Sequence, residues 1–131
     1  MNLLLDTHVL LWAATDDARL GQEARETLAS ADERHVSAAS AFEIATKARI
    51  GKLSQGRTVL DGWARLMRNL QAVELPLTAA HMARAGGMVW EHRDPFDRML
   101  VAQAQLEGLA LLTDDRQIRA HAEVRTVWGR G

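Results

Sequence analysis

Apolar residues follow two rhythms along this chain. Short unbroken or alternating runs read as strands: residues 2–5 (Asn2 followed by Leu3-Leu4-Leu5), His35-Val36-Ser37, Ala72 to Leu75, Leu109 to Leu112, and Val124 to Trp128. Between them, apolar positions recur at helical spacing. Helices are predicted over Thr7 to Ala14, Gly21 to Ala31, Val59 to Leu70, Ala79 to Ala85, Pro95 to Glu107 and Asp115 to Ala120. In the second, Leu20, Ala24, Leu28 and Ala31 share a face; in the third, Leu60, Trp63, Ala64, Met67 and Leu70 do. Punctuation agrees with the pattern. Ser37 or Ser40 caps a further helix that runs to Ile50 and is stopped by Gly51, and Ser54-Gln55-Gly56 is a loop. Pro76 ends a strand, Thr78 caps a helix that Gly86-Gly87 breaks, and Asp94-Pro95 pairs an N-cap with proline at the first helical position.

The resulting order, β-α-α-β-α-α-β-α-α-β-α-β, predicts an α/β fold with a mainly parallel sheet of four to five strands flanked by helices. A chain of 131 residues with 47% hydrophobic and 25% charged residues fits one globular domain, residues 1–131. No linker, repeat or low-complexity segment divides it. The absence of cysteine excludes disulfides, thiolate metal sites and cysteine nucleophiles. No apolar run approaches the ~20 residues of a membrane span, and the N-terminus lacks the basic region of a signal peptide, so a cytoplasmic location and no membrane partner are expected. The net charge of −1 lacks the basic excess of a protein that coats duplex nucleic acid, so any contact with nucleic acid must come from a local patch.

Candidate chemistry lies in four separated acids. Asp6 ends the first strand, Glu43 lies in the helix after His35-Val36-Ser37, Asp97 opens the helix from Pro95, and Asp115 follows the strand that ends at Leu112. In a parallel α/β sheet such positions converge on the crevice at the carboxyl ends of the strands. Clustered carboxylates there suit Mg²⁺ or Mn²⁺ and phosphate chemistry. Each acid also has an ordinary helix-capping role. Asp6 and Asp94 stand before helices, Asp114 or Asp115 precedes the next, and Ser40-Ala41-Phe42-Glu43 has the spacing of a capping box, with Glu43 also placed for a surface pair with Lys47. Against those readings, Leu100, Val101 and Ala104 lie on the helix face that Asp97 heads, and Asp6 ends a fully apolar strand without a flanking cation. Buried carboxylates need a partner, and a divalent cation relieves their mutual repulsion.

Asp6-Thr7-His8-Val9-Leu10-Leu11-Trp12, Glu43 in its turn-to-helix setting, the segment Asp94-Pro95-Phe96-Asp97-Arg98-Met99-Leu100-Val101-Ala102-Gln103-Ala104, and Leu111-Leu112-Thr113-Asp114-Asp115 together resemble the PIN domain. More closely, the chain resembles VapC-type toxins of type II toxin–antitoxin pairs, nearly end to end. The resemblance implies a three-layer PIN-like fold with sheet order 3-2-1-4-5. It implies a metal-dependent endoribonuclease that cuts structured RNA in single-stranded stretches, homodimerisation, and inhibition by a VapB-like antitoxin. The family's acidic set maps onto Asp6, Glu43, Asp97 and Asp115 as catalytic residues and ligands of Mg²⁺ or Mn²⁺, with Glu43 positioning or deprotonating the attacking water. Asp97 is preferred over Asp94 because it heads the helix, and the family's Thr-x-Asp pattern prefers Asp115 over Asp114. Thr7 and Thr113 are placed to orient water or phosphate.

Three other functions compete. A haloacid-dehalogenase-like phosphatase needs a second Asp where His8 stands, a receiver domain needs an acidic pair and a late Lys that are not in place, and a non-catalytic PIN-like interaction module would not need four acids. A metal-free ribonuclease would use His8 and His92 as an acid–base pair, with His35, His81 and His121 structural or exposed. Lys47, Arg49, Lys52, Arg93, Arg98 and Arg116 are candidate phosphate contacts. Trp12 and Trp63 read as core or interface, and Trp90 as a partner-contact candidate.

Overall fold

The computed structural model describes residues 1–129. Among them, five strands form one sheet: β1 (Asn2–Leu5), β2 (Glu33–Ser37), β3 (Ala72–Leu75), β4 (Ala110–Leu112) and β5 (Thr126–Val127), in the order β3-β2-β1-β4-β5. Every adjacent pair is parallel. The expected α/β class and strand order are both present.

The central strand explains the layering. In β1, Leu3, Leu4 and Leu5 are all fully buried, because helices cover both sheet faces. Successive side chains point to opposite faces. Leu3 and Leu5 join one core with Leu10, Leu28, Ile44 and Leu112, while Leu4 joins the other with Leu100, Val101, Leu111 and Ile118. The first core is covered by α1 (Thr7–Thr15), α2 (Gln22–Ser30) and α3 (Ala38–Arg49), with α4 (Gly56–Asp61) and α5 (Trp63–Leu70) packed beyond. The second is covered chiefly by α7 (Pro95–Glu107), against which α6 (Ala79–Gly87) lies, and by the short α8 (Arg116–Arg119).

Three boundaries differ from expectation. The helix predicted over 59–70 is two helices, because it starts early at Gly56 and breaks at Gly62. Gly56 allows the early start: a Cβ there would lie 2.9 Å from Ala48 Cβ, so only glycine lets α4 approach α3 this closely. Gly86 and Gly87 do not break α6, which runs on to Gly87 and ends at extended Met88. The last strand has two residues, not five.

Capping differs as well. Ser37, not Ser40, caps α3, with its hydroxyl accepting the Ala39 N–H at 3.0 Å. Ser40 is buried one turn in, and its hydroxyl lies 2.8 Å from that of Thr7, tying α3 to α1. The Ser40–Glu43 capping box is therefore not formed. A true capping box lies at Thr78. The Thr78 hydroxyl accepts the His81 N–H at 3.2 Å, and His81 Nδ1 accepts the Thr78 N–H at 3.0 Å. His81 Nε2 then bonds Glu107 at 2.9 Å, so this buried histidine is structural, as expected.

Candidate active site

The carboxyl ends of β1, β2 and β4 open on one side, and the predicted acids stand there. Asp6 continues the β1 ladder, its N–H donating to the Leu112 carbonyl at 3.0 Å, before its side chain caps α1 through the His8 N–H at 3.1 Å. Its other carboxylate oxygen accepts the Thr113 hydroxyl at 2.5 Å. That hydroxyl in turn accepts the Asp115 N–H at 3.0 Å, so one threonine at the end of β4 sets both Asp6 and the turn carrying Asp115. Asp115 Oδ1 caps α8 through the N–H groups of Gln117 and Ile118. Asp114 is exposed and its charge acts on Arg19, outside the acidic cluster.

Asp97 enters from α7 and Glu43 from α3, two helices that meet where the Phe42 and Phe96 rings pack at 5.8 Å. Glu43 is 3% exposed and bonds the partly exposed Lys47 at 2.6 Å, so this is a half-buried pair at the site and not the surface pair expected. Burial alone would lower the Lys47 pKa. Its hydrogen bond to Glu43 and the charges of Glu43, Asp94 and Asp97 outweigh that and hold it above the ordinary lysine value.

Asp6 is 2% exposed, and burial pushes its carboxyl above the ordinary range. The Thr113 and His8 contacts oppose the rise and the Glu43 charge adds to it. Asp97 is raised to about 6, by burial first, with Asp94, Asp6 and Asp115 adding and the His92 hydrogen bond opposing. Asp97 thus senses the charges of Asp94, Asp6 and Asp115, and Asp6 that of Glu43. The structure brings Asp6, Glu43, Asp97 and Asp115 into one electrostatic cluster, together with Asp94.

The tightest group of metal-capable atoms among the described residues is a different set: His92, Asp94 and Asp97, all within 4.8 Å of one another. His92 Nε2 lies 2.6 Å from Asp97 Oδ2. Asp94 caps α7 with Oδ1, as expected, which leaves Oδ2 available beside Asp97. His92 and His8 do not form an acid–base pair: His92 holds Asp97, and His8 Nδ1 stands 3.8 Å from Asp6.

Arg98 is not a phosphate contact. Its guanidinium donates to the carbonyls of Ala85, Trp90, His92 and Met88 at 2.6–3.0 Å, holding the loop that carries His92. The hydroxyls of Thr7 and Thr113 are taken up by protein partners, Ser40 and Asp6. Trp12 is buried in the core and Trp63 packs against it, while Trp90 stacks on His121 at 4.5 Å and meets His92 at 4.8 Å.

The family profile described as PIN domain matches residues 3–124. The chain belongs to the PIN-domain family. It is 34% identical over 128 residues to Ribonuclease VapC22 of Mycobacterium tuberculosis, covering 96% of this chain and 98% of that protein. Among solved structures, it resembles the DNA-bound VapBC of Salmonella typhimurium, with TM-score 0.69, 16% identity and 98% coverage of both chains. It also resembles VapBC2 of Rickettsia felis bound to a promoter DNA fragment, with TM-score 0.67, 15% identity and 98% coverage of both. The PIN domain identity leaves the phosphatase and receiver-domain alternatives without support.

PIN-domain nucleases are metal-dependent, and this PIN domain carries the acidic cluster such chemistry uses. The donors present fit a hard divalent cation. They are carboxylate oxygens with one imidazole, and neither Asp6 nor Asp97 has a lysine or arginine ion pair among the described residues. His92, expected as an acid–base partner of His8, instead bonds Asp97, and Asp94, expected as the cap of α7, both caps that helix and stands in the metal-capable group. The five-residue step from His92 to Asp97 across an Asp-Pro helix start was the signal, because it folds the loop back over its own helix.

Proposed function

We propose that this PIN domain is a metal-dependent endoribonuclease and the toxin of a toxin–antitoxin pair. Mg²⁺ or Mn²⁺ is held by Asp6, Asp97, Asp115 and Glu43, and the partner is a VapB-like antitoxin. The observation that carries this reading is the full burial of Asp6 and the partial burial of Asp97, drawn from separate elements into one field with no lysine or arginine paired to either among the described residues. Two such carboxylates close together are costly unless a cation joins them. The ribonuclease name of the 34% identical relative supports the substrate class. The VapBC likenesses support the antitoxin partner, and the proposed setting is a cytoplasmic homodimer.

A bound divalent ion supplies Lewis-acid polarisation of the phosphodiester and a more acidic water. The chain's own groups do the rest. Thr113 and the His8 N–H fix the Asp6 carboxylate, and His92 fixes Asp97, so both present preset oxygens. Glu43 has one oxygen on Lys47, leaving Oε1 to accept the proton of the attacking water. In-line attack breaks the bond to the 3′ oxygen and leaves a 5′-phosphate and a 3′-hydroxyl.

The test is cleavage of a defined RNA by the purified chain. Activity is expected to vanish in EDTA, to return with Mg²⁺ or Mn²⁺, and to be lost in Asp6→Asn. Cleavage that persists in EDTA contradicts the proposal.

A further inference from the structure

Acidic clusters repel the polymer they are to cut. With a net charge of −1, this chain has no general basic surface to overcome that, so the RNA backbone must approach where cations adjoin the acids. Of the six basic residues that the sequence offers near the site, Arg98 is occupied by the four carbonyls it binds. Two others, Lys47 and Lys52, line one cavity of about 270 Å³ with Thr7, His8 and Glu43, on an apolar floor that includes Ile44.

The local fold explains why the two lysines share this cavity. After Arg49 the helix α3 ends, and Gly51 takes a left-handed φ of +80°. The chain then curls back, with the Lys52 N–H donating to the Lys47 carbonyl at 2.9 Å and the Gly51 N–H to the Ala48 carbonyl at 3.2 Å. Lys52 is thereby returned to the wall that Lys47 occupies, one turn from Glu43. Lys47, which lines the cavity, uses one of its three ammonium donors on Glu43, which leaves two to offer a ligand. Lys52 is exposed and has no ion pair among the described residues. A cavity lined by one acid of the cluster and by two lysines matches a phosphodiester strand: the scissile phosphate meets the acids and its neighbour meets the lysines.

We propose that the cavity between α1 and the end of α3 is the phosphate-binding approach to the acidic site, with Lys47 and Lys52 holding backbone phosphates of a single-stranded RNA. This rests on the ribonuclease reading. The experiment measures binding of a fluorescein-labelled single-stranded RNA oligonucleotide across a salt series, in full-length Asp97→Asn protein so that the RNA stays intact. Lys52→Gln is expected to reduce the slope of log K against log salt by about 0.7, and Lys47→Gln with Lys52→Gln by about 1.4, the value for single-strand phosphate contacts. Arg125→Gln is the control. It makes the same charge change at the exposed residue before the edge strand β5, outside the cavity lining, and is expected to leave the slope unchanged. Lys47→Arg is expected to keep the slope, which separates lost phosphate contact from disturbance of Glu43. Slopes for the lysine variants equal to that of Arg125→Gln overturn the inference. Wild-type cleavage, assayed in parallel, separates the two claims. No metal-dependent cleavage defeats the ribonuclease reading itself, whereas cleavage with unchanged slopes defeats only the approach path.

Discussion

Two cationic side chains border the acidic cluster and do opposite work. Arg98, near the start of α7, turns away from the acids and binds the Ala85 carbonyl of α6 and three backbone carbonyls of the loop between α6 and α7, those of Met88, Trp90 and His92. Lys47, on α3, turns toward them and bonds Glu43. The difference follows from side-chain chemistry. A planar guanidinium with five donors can satisfy several fixed carbonyls at once, whereas an ammonium on a flexible stem serves one carboxylate and can re-aim at a phosphate. One side of the site is thus organised by structure, the other by charge.

The largest expected effect comes from removing the organiser. Arg98→Met leaves carbonyls of the loop unpaired and frees His92 from its place beside Asp97; a loss of about 3 kcal/mol in urea unfolding is expected. An unchanged midpoint would mean that the loop holds itself.

Next is the pH dependence of the metal-free protein. The folded pKa of Asp97 is raised from 3.8 to about 6, so the folded state binds this proton more tightly than the unfolded state. That contribution is full below pH ~3.8 and is lost as pH rises through about 6, at most ~3 kcal/mol in all. Asp97→Asn is expected to flatten this part of the stability profile, and Mg²⁺ or Mn²⁺ to restore stability near neutrality in the wild type. A wild-type profile that rises steadily from pH 4 to 6 without metal would contradict the burial argument.

On the charged side, Lys47→Gln is expected to lower cleavage by about 10²-fold, the scale of one lost transition-state donor, with a smaller fall in unfolding midpoint than Arg98→Met because the Gln amide can still donate to Glu43. A fall in stability matching that of Arg98→Met would erase the contrast between the two residues. The smallest effect concerns α6, far from the chemistry: Thr78→Ala is expected to cost about 1 kcal/mol through the lost cap, with cleavage unaffected.

How much of this was legible in the chain depended on how local each cause is. The strands and their order followed from apolar runs, as in Leu3-Leu4-Leu5, whose burial on both faces needs helices on both sides. The split at Gly62 and the continuation of α6 through Gly86 and Gly87 were not legible, because tertiary contacts with α3 and α7 decide them. The capping box escaped the usual Ser/Thr-x-x-Glu/Gln pattern because His81 Nδ1 replaces the carboxylate or amide as acceptor. The Ser40–Glu43 match fitted that pattern and was wrong, because Ser37 caps first and both side chains then lie inside a buried turn. Asp6, Asp97 and Asp115 stood out as candidates by placement at strand ends and helix starts, whereas Glu43, inside α3, stood out only through the family resemblance. Asp94 beside Asp97, His92 on Asp97, and the diversion of Arg98 did not, since each depends on a loop folding back across a helix.

The central claim is that acids from β1, α3, α7 and the end of β4 form one site for a divalent cation. Calorimetric titration of the metal-free chain with Mn²⁺, wild type against Asp97→Asn, tests it most directly. The account predicts saturable binding in the wild type that strengthens as pH rises through 6, when Asp97 gives up its proton, and at least a tenfold loss in Asp97→Asn. Equal binding by both proteins, or none by the wild type at neutral pH, would contradict it.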